Sequence, residues 1–304
     1  MPVSKQPRKK AVPKTQRTVA PVGPLPDRRI MESFLASIAG GAREKTIAKA
    51  QDIMYDAWEQ TNARSRIALA RKALGISPLC ADAYNLLAEE ASSLKEAGDL
   101  YAKGVEAGEL ALGPEGFEEY AGHFWGFLET RPYMRARAGL ASVLLKLGDA
   151  NAATSHYTEM LKLNPDDNQG IRYVLAAILL SQGKEPELKE LLAAYERDGG
   201  AEWLYTRALL AFREGNVGEA RSVALVRNAW SANEHVPAIL AGTKRPIAGD
   251  SANVTVGGVD EASYYAAEFG PALAPHAGRC RMADQDCLDL AAQAASKSDQ
   301  ALSD

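Results

Sequence analysis

The chain has 304 residues, of which 46% are hydrophobic and 24% charged, enough apolar material for a sizeable core in one extended or two ordinary domains. Alanine is abundant, Val and Ile are sparse and only 7% of residues are aromatic, a balance that favours helix over sheet. The formal charge of −4 hides a split: residues 1–29 hold eight Lys/Arg against Asp27, which leaves an acidic body of 27 bases and 38 acids. Cys80, Cys280 and Cys287 include no CxxC pair, so a disulfide framework is excluded and a reduced, cytoplasmic protein is expected. The basic N-terminus has no apolar stretch behind it and so does not read as a secretory signal. The longest apolar run, Val174 to Leu180, falls far short of the roughly 20 residues that span a bilayer.

Taken in chain order, residues 1–29 form a proline-rich basic arm with few large apolar residues, expected to be disordered. Its Lys/Arg run would also suit nonspecific phosphate contacts, although no aromatic residues are interleaved with it. Residues 30–242 read as a helical repeat domain. Apolar residues recur at i, i+3, i+4 and i+7 over 46–58, 64–74, 81–91, 133–147, 151–163, 168–180, 186–195, 202–212 and 218–230. Gly148, Gly183 and Gly215 each follow a helical run, where a left-handed residue is needed, and Pro78 and Pro165 close helices. Residues 243–304 are expected to be a loop followed by short capping helices, partly disordered. Within them 261–269 is a helix whose Tyr264, Tyr265 and Phe269 can cover the end of a stack.

The turn glycines lie 35 and 32 residues apart, and one unit, Met134 to Pro165, is complete. Its first helix carries Leu140, the small Ala141 and Leu144. A Leu-Gly-Asp turn follows, then small Ala153, aromatic Tyr157 and Met160, and a terminating proline. Small residues are needed where two helix backbones cross closely. This order resembles the tetratricopeptide repeat, with its period of about 34 residues. The resemblance covers about residues 47–232; it is weaker at Leu188, where a small residue is usual, and at Arg207, which falls on a normally apolar position. It implies an all-α fold, a right-handed superhelical stack of antiparallel helix pairs. The stretches Gly122-His123-Phe124-Trp125-Gly126, Glu129 to Arg137 and Asn164 to Tyr173 are similar to a group of bacterial tetratricopeptide proteins. Those proteins are distantly similar to the suppression-of-tumorigenicity family. Some carry a Cys-rich zinc-binding tail, but Cys280 and Cys287 lack the clustered ligands, so neither zinc nor any other cofactor is carried over.

No HExxH, GxSxG, phosphate loop or paired Cys/His spacing is present. His123, Trp125 and Glu129 make the one cluster that resembles a reactive centre, yet residues six apart do not share a helix face, and no enzyme is expected. In a stacked solenoid the first helix of each hairpin lines a groove for peptides. That places Asn85, Arg135, Arg137, Lys146, Arg172, Tyr173, Tyr205 and Phe212 as candidate groove residues. Arg137 and Arg172 each stand eleven residues before their turn glycine, an equivalent register that could bind a partner's carboxylate or phosphate bidentately. The alternative is that these arginines pair with Asp or Glu of a neighbouring helix. Asn85 alone matches the carboxylate clamp of chaperone-binding relatives, so a chaperone terminus is not expected. The expected function is therefore a non-catalytic scaffold or adaptor holding a protein or peptide, an acidic one among the candidates. The rival is a nucleic-acid-associated adaptor using the arm. Residues 259–275 carry aromatic residues that the groove itself would accept.

Overall fold

The computed structural model describes residues 41–214, 220–247 and 254–273; the basic arm, Gly215, Cys280 and Cys287 lie outside them. Among the described residues there are helices and turns and no strands. Five antiparallel hairpins follow one another. The first pairs α1 (Ala42–Glu59) with α2 (Ala63–Ile76), and the second α3 (Ala81–Glu89) with α4 (Leu94–Glu119). The third pairs α5 (Arg131–Lys146) with α6 (Ala150–Leu163), and the fourth α7 (Ile171–Ser181) with α8 (Glu185–Ala194). The fifth pairs α9 (Ala201–Arg213) with α10 (Ala220–Ala232), and α11 (His235–Leu240) and α12 (Val259–Leu273) complete the described residues.

Local chemistry accounts for the boundaries. The Asn62 side chain accepts from the N–H groups of Arg64 and Ser65, capping α2, and Ser93 and Asp149 cap α4 and α6 in the same way. The turns closing α5 and α7 place Gly148 at φ 89° and Gly183 at φ 67°, a left-handed conformation that a side chain resists. α7 begins three residues later than periodicity indicates. Asp167 (φ 47°) turns the chain, and its carboxylate accepts from the N–H groups of Ile171 at 2.7 Å and Arg172 at 2.9 Å. A side-chain cap has displaced the helix start.

α4 and the six-residue α11 are the elements periodicity missed. α4 runs 26 residues with a kink at Gly113 before Pro114, and its glycines are what let it pack. A Cβ on Gly108 would meet Cβ of Tyr133 at 2.8 Å and its Cα at 3.1 Å, so α4 approaches α5 backbone to backbone. On the other side of α5, the small residues Ala141 and Ala153 are fully buried where α5 crosses α6. The main core runs from Val105 to Phe269 and includes fully buried Phe124, Tyr133, Leu188 and Trp203. A smaller core around Met54, Ala70 and Leu86 holds the first hairpin to α3.

α12 does not extend the stack as another hairpin. It folds back and packs on α7, α9 and α11, the first two being first helices of their hairpins, rather than on the second helices α8 and α10. α7 and α9 make little direct contact with each other, whereas α3 packs directly on α5. Tyr265 and Phe269, stacked with centroids 4.9 Å apart, are buried in this junction.

Candidate functional site

The first-helix face has two halves. In the first half, α1, α3 and α5 meet around Asp82, which is fully buried. Arg135 grips it with both guanidinium edges, Nε to Oδ1 at 2.9 Å and Nη2 to Oδ2 at 2.5 Å. Gln51 donates to Oδ2 at 2.9 Å and Asn85 to Oδ1 at 3.1 Å. A charge taken wholly out of water needs this many donors. Asn85 also donates to the Pro132 carbonyl at 3.0 Å, so its amide ties α3 to the start of α5. The outer face of the Arg135 guanidinium lies 5.6 Å from the Trp58 ring centroid, and that indole is 36% exposed. Cys80, buried beneath the same node, has its thiol pushed up to about 12 by burial, with Asp82 adding to the effect.

Arg172 organises the second half. It bonds Asp198 at 2.7 Å, Asp167 at 2.9 Å and the Tyr173 hydroxyl at 2.7 Å, and its guanidinium stacks 4.2 Å from the Tyr173 ring centroid. Tyr173 in turn donates to Asp198 at 2.7 Å. Burial raises the Asp167 carboxyl despite its bonds to the N–H groups of Arg172 and Ile171. Burial also opposes charge on Asp198, but bonds from Gly200 N–H, Tyr173 and Arg172 outweigh it and hold that carboxyl below its ordinary value. An open concavity of about 490 Å³ lies beside this node, lined by Asp166, Arg172 and residues 193–198.

Arg137 differs from Arg172 despite its matching register. Its Nη1 donates to the Tyr133 hydroxyl, and it faces His156 of α6, whose pKa is lowered by burial and then by this guanidinium. Residues two apart on a helix are rotated by about 200°, so Arg135 turns to α3 and Arg137 to the opposite side. Lys146 is exposed at the end of α5, and Phe212 is half-buried on α9. Tyr205 donates to the Asn233 carbonyl at 2.7 Å and packs on Tyr265, 5.8 Å between centroids, so α12 lies over it. The eight groove candidates therefore divide among separate environments.

The sequence offered no sign of Asn233 and Glu261. Buried Asn233 donates to the Gly258 carbonyl at 2.8 Å and to Glu261 at 2.9 Å. The Glu261 carboxylate also accepts from the N–H groups of Ala201 at 3.0 Å and Gly257 at 2.7 Å. Glu202, on the neighbouring α9, is raised from 4.5 to about 7 by burial first, with Glu261 and Asp198 adding to it. The His123 cluster is a structural connection: Phe124 N–H bonds the Leu163 carbonyl, Trp125 N–H the Asn164 side chain, and His123 and Glu129 are exposed. Among the described residues no group of three or more His, Cys, Asp or Glu is placed to hold a metal ion, and no helix is long and apolar enough to cross a membrane.

These features define, among the described residues, an all-α stack of helical hairpins of the tetratricopeptide kind, with the first helices α7 and α9 covered by the returning α12. The family model described as "ST7 protein" matches residues 42–116. The chain is 28% identical over 221 residues to "Protein ST7 homolog" of Drosophila melanogaster, covering 64% of this chain and 41% of that protein. It is 28% identical over 210 residues to "Suppressor of tumorigenicity 7 protein-like" of Homo sapiens, covering 62% and 36%. The chain thus spans about two-fifths of the length of these relatives, and the expected similarity to the suppression-of-tumorigenicity family is found. Among solved structures it is similar to YrrB, described as "a TPR protein with an unusual peptide-binding site", with TM-score 0.43 and 21% identity over 64% of this chain and 93% of that one.

Proposed function

We propose that this chain is a non-catalytic interaction scaffold that holds a peptide or protein on the first-helix face of α1, α3 and α5. The observation that carries the reading is the contrast between the halves of that face. α12 covers α7 and α9, whereas Trp58, on the outer face of Arg135 where α1, α3 and α5 meet, stays partly exposed. An indole held by a guanidinium whose own charge is already met by Asp82 is a rigid apolar contact, of the type that anchors interfaces. Arg135 and Arg172 both hold carboxylates of this chain, so neither specifies an acidic partner; among the groove candidates, exposed Lys146 and Arg137, which meets the Tyr133 hydroxyl, are the cations that favour one. Scaffolding fits the polar nodes, which bind one helix to the next.

The test is capture of partners from the native host by immobilised full chain, comparing wild type with Trp58→Ala. Both proteins must first give the same helical circular dichroism. Partners held by wild type and released by the variant are expected. An unchanged partner set would remove this face from consideration.

A further inference from the structure

The connection between α8 and α9 collects guanidiniums. Arg172 of α7 lies 4.2 Å from the ring centroid of Tyr173, 5.3 Å from that of Tyr195 and 5.9 Å from that of Trp203. Trp203 stands edge-on to both tyrosines, at 87° in each case, so three rings and the Asp167 and Asp198 carboxylates box one cation. Arg207 of α9 brings a second guanidinium, which donates to the Leu192 and Glu196 carbonyls. Both are drawn to the same end of α8, where the terminal carbonyls form the negative pole of the helix. The concavity of about 490 Å³ opens beside this box, formed by the α6–α7 turn, the start of α7 and the α8–α9 connection. That volume lies within the roughly 300–1,000 Å³ of ordinary ligand pockets. Its rim differs from its floor. Asp166, Glu196 and Arg197 are exposed, and among the described residues no hydrogen bond or ion pair engages their side chains. With Asp167 and Asp198 there are four carboxylates here against the two guanidiniums of Arg172 and Arg197, an excess of negative charge. The Tyr195 hydroxyl lies in that field. Burial first, then Asp167, raise it to about 12, with Asp166 adding to them and Arg172 opposing.

We propose that this concavity receives an arginine side chain of a partner peptide, its guanidinium met by the Asp166 and Glu196 carboxylates beside Tyr195. The planar fork of arginine suits carboxylates and an aromatic ring better than the compact ammonium of lysine does. The chain's own Arg172 already shows the chemistry these walls accept, and the vacant space next to it is where a second guanidinium fits. Arg197 works against the ligand, since its charge repels a cation at the same rim. The site lies apart from Trp58, selects the opposite charge from Lys146, and stands independently of the α1–α3–α5 face.

The probe is the peptide acetyl-Gly-Gly-Arg-Gly-Gly-amide, titrated at low salt into the isotope-labelled full-length chain and followed by the amide NMR signals of residues 193–198. Those signals are expected to move saturably with this peptide and to stay in place with an analogue carrying Gln instead of Arg. The Asp166→Asn/Glu196→Gln variant should bind about ten-fold more weakly, and Arg197→Gln about three-fold more tightly. All three residues are exposed, so the circular dichroism should not change. Glu118→Gln/Glu119→Gln, an exposed pair on α4, removes the same net charge elsewhere and should leave the affinity as it was. No movement with the arginine peptide, equal movement with the Gln analogue, or an equal loss in the two double variants overturns the proposal. So does preferred binding of an analogue carrying Glu that is lost in Arg197→Gln, which would assign the concavity to an anionic group. The Trp58→Ala capture reads a separate face, so either reading can fail without the other.

Discussion

Replacing Glu202 by Gln tests whether the packing at the start of α9 is proton-linked. The Glu202 side chain is 7% exposed, beside Glu261 of α12 and Asp198 of the α8–α9 loop, with Arg172 of α7 the opposing charge. Its carboxyl is raised from 4.5 to about 7. At 1.36 kcal/mol per tenfold, ionised Glu202 costs the fold about 3 kcal/mol. An acid whose native value lies above its unfolded value is held protonated by the fold. Its contribution is complete below about pH 4.5 and is lost as the pH rises through about 7. Between pH 5.5 and 8 this residue alone should lower stability by about 2 kcal/mol. The assay is urea unfolding of wild type and Glu202→Gln followed by circular dichroism at both pH values, comparing the difference between the proteins so that other titrating groups cancel. Gln keeps the shape and cannot ionise, so the variant should gain about 2 kcal/mol on wild type as the pH rises from 5.5 to 8. Equal pH slopes would refute the reasoning, because they would mean that Glu202 is solvated or that its charge is met by Arg172.

Other outcomes follow from single contacts. Arg135→Ala strands the fully buried Asp82 carboxylate and should cost about 3–5 kcal/mol in urea unfolding, whereas replacing both partners by apolar residues of similar volume should cost far less. Gly108→Ala should destabilise by about 1–3 kcal/mol despite alanine's better helix propensity, because backbone of α5 occupies the space; an unchanged melting temperature would contradict the close approach. In a Cys280→Ser/Cys287→Ser background, Cys80 should fail to react with a disulfide reagent at pH 8 in the native state and react fully in urea, since its thiol lies near 12 and is buried.

The hairpins were legible because their apolar period, caps and turn glycines agree, as in α5 and α6, where Ala141, Gly148, Ala153 and Tyr157 occupy the positions the repeat assigns. α4 was not legible for a physical reason. Gly104, Gly108 and Gly113 weaken a helical signal, yet Gly108 is required where α4 meets the α5 backbone, Gly104 fits closely against side-chain atoms of Tyr84, Asn85 and Ala136, and Gly113 makes a kink. Arg207 looked out of place on a normally apolar position. Its guanidinium donates to the carbonyls of Leu192 at 2.7 Å and Glu196 at 2.9 Å, groups at and beyond the end of α8 where intrahelical donors run out, so a cation serves there as a cap. α12 was readable as a helix but its destination was not. Nothing in a linear pattern announces that Asn233 and Glu261, 28 residues apart, will form a buried pair.

The arginines show how far a repeat register can carry a functional argument. Arg137 and Arg172 hold the same place relative to their turn glycines, 35 residues apart, and both are first-helix residues. Arg172 is surrounded because Asp167 and Asp198 stand within reach. The positions 35 residues before those two acids are Pro132 and Leu163, so no carboxylate waits for Arg137 there, and it turns to the Tyr133 hydroxyl. Backbone position is therefore repeated while the charge environment is not. A partner surface has to be sought in what the neighbours leave open rather than in which residues recur. That criterion sets aside Arg172, Asn85 and Tyr205, whose polar groups are already engaged inside the chain, and leads to Trp58.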